Sequence, residues 1–178
     1  MRLRFPVAAA LALSTVALAA CGSSDKGPRV ACPPVLLERS TADLVVFRPG
    51  PGRDITDVMY EAQVTGYTGD CQRRKGESTV KVTLQPTFTV TRGPAWTGGS
   101  KDVTYFVAVP AYYPNPAGKQ VFSIPFSFPA GNMTSVILRD EKVTLDLPSA
   151  DAQTRPPAIY IGFQLTPEQL DYNRQSGR

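Results

Sequence analysis

Short apolar runs in which every second residue is hydrophobic, each closed by glycine or proline, occupy most of this chain and constrain it to β-strands. In "DVMYEAQVTG" Val58, Tyr60, Ala62 and Val64 alternate with Met59, Glu61, Gln63 and Thr65. A period of two places one set on one face of a strand and the other set on the opposite face. "STVKVTLQPTFTV" repeats the pattern with Val80, Val82, Leu84, Phe88 and Val90, and "KVTLDLP" with Val143, Leu145 and Leu147. "AIYIGFQL" does so with Ile159, Ile161, Phe163 and Leu165. "VFSIPFSF" sets Phe122, Ile124, Phe126 and Phe128 on one side, and its Pro125, which lacks an N–H, belongs on an edge or at a bulge. "DVTYFVAVPAYY" is apolar on both faces, as a central strand is.

With "DLVVF" these runs make about seven strands in succession, a pattern that predicts an all-β, antiparallel β-sandwich of immunoglobulin-like or fibronectin-like type. The cysteine–tryptophan–cysteine signature of antibody domains is missing, since the one tryptophan, Trp96, falls in the loop "GPAWTGGSKD". The chain closes on a short C-terminal helix of one or two turns. In "TPEQLDYNR" Thr166 suits the N-cap, Pro167 the first helical position and Gln169 the return partner of a capping box, and Leu170 can fold back on the sheet edge.

Composition removes several functions. There is no histidine, which excludes a Ser-His-Asp or Cys-His catalytic unit and the histidine-containing zinc sites. No phosphate-cradling loop is present, because "GPGRD" lacks the GK[ST] ending, and no motif calls for a cofactor or a metal. The net charge of +4 falls to +2 if the segment before Cys21 is removed, since Arg2 and Arg4 lie there and no acid does. So modest an excess gives no support to nucleic-acid binding.

The N-terminus reads as a secretion signal over residues 1–20: "MRLR" is positive, "FPVAAALALSTVALA" is apolar, and small residues lead to a cleavage point. "LAAC", Leu18 to Cys21, closes it, and with these features the chain resembles bacterial lipoprotein precursors, most closely uncharacterised envelope lipoproteins. The resemblance implies that the Cys21 thiol receives a diacylglycerol, that cleavage precedes it, and that the new amino group is acylated. Gly22 at the following position, where aspartate would retain the protein at the inner membrane, implies an outer-membrane anchor facing the periplasm. With Cys21 consumed, Cys32 and Cys71 remain as an even pair in an oxidising compartment, and a disulfide is the expected use of two thiols without histidine. "GSSDKGPRVA" between Cys21 and Cys32 reads as a flexible tether over 21–31, leaving one domain at 32–178.

The remaining candidates are loop residues. Asp54 and Asp57 in "GRDITD" could suggest acid–base or calcium chemistry, but a turn organised by Asp54 with Arg53 offsetting charge is the plainer reading. Asp140 and Glu141 sit in the mixed-charge "LRDEK", read as a solvated turn or strand exit, and "RRK" at 73–75 reads as a charged hairpin tip or, alternatively, a contact for anionic lipid or glycan. Trp96 and the "YYPNP" at 112–116 are either caps on the core or aromatic binding anchors. If each strand crosses the domain once, loops 66–78, 113–119 and 148–157 share one end with the tether, and loops 48–56, 92–101 and 129–133 share the other. That distal end carries Arg48, Arg53 and Trp96, the candidate partner-binding residues. The expected function is a lipid-anchored, non-catalytic binding or structural module with an envelope protein or glycan as partner. The alternatives are a glycan- or peptidoglycan-binding module and a carboxylate-dependent hydrolase.

Overall fold

The structure is a computed structural model that describes residues 32–72, 79–131, 134–148 and 157–178. The expectations for the signal segment, Cys21, the tether and Arg73 to Lys75 lie outside these residues. Nine strands and one helix are described: β1 (Val35–Leu37), β2 (Asp43–Phe47), β3 (Val58–Gln72), β4 (Thr79–Arg92), β5 (Lys101–Ala108), β6 (Lys119–Phe126), β7 (Ser135–Arg139), β8 (Val143–Pro148), β9 (Ile159–Phe163) and α1 (Pro167–Ser176). They form two sheets. One runs β1-β9-β5-β6; the other runs β2-β3-β4-β7, with β8 pairing β4 beside β7.

The alternation in the sequence became burial. Val58, Tyr60, Ala62 and Val64 are buried on β3, and Val80, Val82, Leu84, Phe88 and Val90 on β4. Val103, Tyr105 and Val107 of β5 and Ile159, Ile161 and Phe163 of β9 meet them from the other sheet in a single core. At its centre Phe88 packs on Tyr105 and Phe163 with ring centroids 4.8 and 5.6 Å apart. Such pairs add about 0.5–1.5 kcal/mol each beyond their buried area.

Three expectations are corrected. The strands number nine among the described residues, because β1 and β7 escape the alternation test. β1 has only three residues, and β7 exposes Ile137 (70%) while Val136 and Leu138 are only half-buried. The pairing is also not wholly antiparallel, since β1 runs parallel to β9, with Val35 opposite Ile159. In the expected loop 66–78, the described residues Gly66 to Gln72 are strand and continue β3 opposite β4. An irregularity between Val64 and Gly66 leaves Thr65 as an extra residue and inverts the parity. Beyond it Tyr67, Gly69 and Cys71 face the same way as Pro86, Leu84 and Val82, which carries Cys71 to the core side. There it forms the disulfide with Cys32, at a Cα separation of 5.8 Å.

β4 pairs with β8 over its first half and with β7 over its second, and the two ladders part at Gln85 and Pro86. Proline cannot donate to a ladder, so the neighbouring strand breaks there. The gap is bridged by the Gln85 side chain, whose Nε2 donates to the Asp140 carbonyl at 2.8 Å. Asp140 also receives the Tyr105 hydroxyl on Oδ2 at 2.8 Å, a link from one sheet to the other. Pro125 lies in β6, which pairs only with β5 among the described strands, as expected of an edge.

The C-terminal helix is longer than expected, ten residues, but begins as expected. Thr166 Oγ1 accepts from the Gln169 N–H at 3.2 Å, and Gln169 Oε1 accepts from the Thr166 N–H at 2.9 Å. Its buried side chain is Asn173, which donates to the Ser40 and Asp43 carbonyls and so ties α1 along β2; Leu170 is half-buried. Among the described residues no helix is long and apolar enough to cross a membrane.

Candidate functional site

The chain leaves β2 at Phe47 and returns to β3 through "RPGPGRDITD", and the local chemistry of this loop builds a structured surface feature. Gly50 adopts φ +128°, open to glycine at little cost. Gly52 passes so close to the Asp57 carboxylate that a Cβ would have no room. Asp54 then caps a 3-10 turn at Ile55–Asp57, accepting the Thr56 N–H at 2.7 Å and the Thr56 hydroxyl at 2.6 Å. Those two donors, the hydroxyl foremost, hold the Asp54 carboxyl below its ordinary pKa.

Asp57 is the buried member of the loop, its side chain 5% exposed. Arg48 reaches it twice. The Arg48 backbone N–H donates to the Asp57 carbonyl at 2.8 Å, and its Nε donates to Oδ1 at 2.6 Å. The Arg48 side chain is 61% exposed, and among the described residues nothing holds its two Nη groups. Arg53 is fixed differently. Its Nη1 donates to the Gly50 and Gly52 carbonyls, its Nε and Nη2 to Glu168, and its guanidinium lies over the Phe47 ring at 5.3 Å. Tyr172 of α1 packs its edge against Phe47 at 5.1 Å.

Together these groups enclose a cleft of about 290 Å³ between the loop and the start of α1. Phe47 and Tyr172 supply its aromatic part, and Arg48, Arg53, Thr166 and Glu168 its polar part. Two of the three candidate partner-binding residues, Arg48 and Arg53, therefore line one site. Trp96 does not line it. Its half-buried ring packs on Tyr60, Phe126 and Phe128 at centroid distances of 6.1, 6.0 and 5.0 Å. Trp96 closes that end of the core, with Gly93 pressed against the Val58 backbone beneath its turn. In this cluster burial, with the Asp102 charge adding to it, raises the Tyr60 hydroxyl above its ordinary pKa.

Of the paired candidates Asp140 and Glu141, Asp140 serves the fold. Asp140 takes the Tyr105 hydroxyl and the Glu141 N–H, at 2.8 and 2.7 Å. Among the described residues no group of three or more cysteine, aspartate or glutamate side chains is placed to hold a metal ion.

The cleft and the disulfide lie at opposite ends. Phe47 stands opposite Val58 at the start of β3, and Cys71 is thirteen residues along the same strand. At about 3.3 Å per residue that is roughly 40 Å. No known protein family, characterised relative or solved structure matches this chain.

Proposed function

We propose that this chain is a lipid-anchored cell-envelope protein whose domain, an immunoglobulin- or fibronectin-like β-sandwich, is a non-catalytic binding module. The working surface is the Arg48–Arg53 cleft. The observation that carries this reading is the separation of the two ends. The Cys32–Cys71 bridge receives the chain that descends from "LAAC", while the cleft opens about 40 Å away along β3. A module tethered in this way presents the cleft away from its own membrane, toward other envelope components. The sandwich assignment is supported by the shared core of the two sheets and by the chain's crossing from β4 to β5 and back from β6 to β7.

Arg48 is suited to recognition because the buried Asp57 orients its guanidinium through Nε and leaves the Nη edge outward. Preorganisation of this kind lowers the ordering cost of binding. A photo-crosslinking residue in place of Pro49, which is exposed and lines the cleft, tests the proposal in intact cells. A discrete adduct that disappears with Arg48→Ala supports it, provided the same probe at Ile137, on β7, gives none. Equal adducts from both positions refute it. A glycan ligand is the second reading, favoured by planar guanidinium groups beside the Phe47–Tyr172 pair. Binding of purified peptidoglycan fragments, lost in Arg48→Ala, would select it.

A further inference from the structure

We infer that the loop joining β5 to β6 is a membrane foot, which seats Tyr113 among the headgroups of the bilayer holding the lipid anchor. This rests on the anchored reading above. Register places the loop at the tether's end of the domain. Leu36 of β1 and Ala108 of β5 both stand opposite Tyr160 of β9, so the connection after Ala108 emerges beside the start of β1. Pro34 is tied there too, its carbonyl accepting the Ile159 N–H at 2.9 Å.

The loop is closed on itself. Val109 N–H donates to the Gly118 carbonyl at 2.7 Å, and in and around two 3-10 turns, Pro110–Tyr112 and Pro116–Gly118, the N–H groups of Tyr112, Tyr113, Asn115 and Gly118 donate to carbonyls of the same segment. Tyr112 packs half-buried against the core. Tyr113 points outward and is 86% exposed, more than any other large apolar side chain described. From Pro110 to Gly118 there is no charged residue, in a chain that is 19% charged. A self-bonded, uncharged, proline-rich tip that presents a tyrosine matches the chemistry of a membrane interface, where an aromatic body enters the headgroup layer and its hydroxyl stays wet.

The tether selects the bilayer as occupant. Ten residues separate Cys21 from Cys32, and a chain of that length has a mean reach of about 17 Å. An anchor at Cys21 would thus hold this end of the domain within reach of lipid at all times, so each foot contact is made without further translational loss.

The wild-type chain carries its own control, since its single tryptophan, Trp96, lies at the far end of the domain. The lipidated full-length protein is placed in vesicles of phospholipid brominated near the top of the acyl chains, with plain vesicles for comparison. Wild type and Ile55→Trp, a variant at an exposed distal position, are expected to fluoresce equally in both. In Tyr113→Trp the added emission is expected to be quenched by bromine and shifted to the blue. Equal emission from Tyr113→Trp in the two vesicles, or quenching of Ile55→Trp instead, overturns the foot. Flotation separates this from the reading beneath it. If wild type floats with vesicles and Cys21→Ser does not, the anchor stands whatever the quenching shows. If wild type fails to float, the anchor falls and the foot with it.

Discussion

Removing the hydroxyl that joins the two sheets measures how far this fold depends on one polar contact. Tyr105 is fully buried on β5, and its O–H donates to the Asp140 carboxylate at 2.8 Å from beneath the β7–β8 corner. Tyr105→Phe keeps the ring, its 4.8 Å packing on Phe88 and its stacking on Phe122, and deletes one hydrogen bond to a charged acceptor. Bonds of that kind contribute about 1.5–3 kcal/mol, and Asp140 is only half-buried, so the low end applies. We expect a loss of about 1.5 kcal/mol, a fall in Tm of roughly 3–6 °C for a domain of this size. Asp140→Ala costs more, about 2–3 kcal/mol, because it strands the buried hydroxyl and frees the Glu141 N–H that turns the corner. Urea unfolding of both single variants and the double variant, followed by circular dichroism, gives the coupling between the two side chains. A coupling of about 1 kcal/mol is expected. Strict additivity would refute the claim that the pair acts as a clasp.

Three further outcomes are expected of the same fold. The disulfide closes a loop with a sequence separation of 39, so Cys32→Ser with Cys71→Ser should lower unfolding free energy by about 2–4 kcal/mol in chemical denaturation, and non-reducing peptide mapping should recover the bridged peptide. Thr166→Ala removes the capping box of α1 and should cost about 1 kcal/mol, with faster amide exchange confined to the first turn of the helix. Burial, then the Asp140 hydrogen bond and charge, raise the Tyr105 hydroxyl above its ordinary value of 10.0. The folded state therefore holds this proton more tightly than the unfolded chain. Its stability contribution is complete below pH 10 and declines as pH rises beyond it, so alkaline titration of Tm should fall more steeply in wild type than in Tyr105→Phe.

What could be read in the residues followed local rules. The alternation over Val58 to Val64 and the Thr166–Gln169 capping box each depend on neighbours a few positions apart, and both appear as expected. β7 was hidden because Ile137 points to solvent, while Val136 and Leu138 are only half-buried, so no apolar period stands out. The extra residue at Thr65 left no composition signal, yet it decides that Cys71 faces Cys32. The cleft was visible only as a loop with two arginines. Charge alone set Arg53 beside the loop's aspartates, but Arg48 took Asp57, and Arg53 found Glu168, 115 positions away. Pairings across such distances are created by topology, and one sequence carries no local trace of them.

The same topology leaves little open sheet edge on which a second copy could pair. An open sheet edge offers unpaired N–H and C=O groups to any other strand. Among the described strands there are four edges, and each is blunted by a different means. β2 is covered by α1, held there by the Asn173 amide on the Ser40 and Asp43 carbonyls. The edge opposite is broken into β7 and β8 by the corner at Asp140, so no long straight ladder is exposed. β1 is three residues long. β6 is the longest of these edges, eight residues, and it begins with exposed Lys119 and carries Pro125 near its end. A charge and a missing donor at opposite ends leave only its middle, Val121 to Ile124, able to accept a strand. Replacing Pro125 with valine restores a β-branched residue with a donor to that edge, and concentration-dependent association in light scattering is the expected consequence. A Pro125→Val protein that stays monomeric at every concentration would show that Lys119 alone closes the edge.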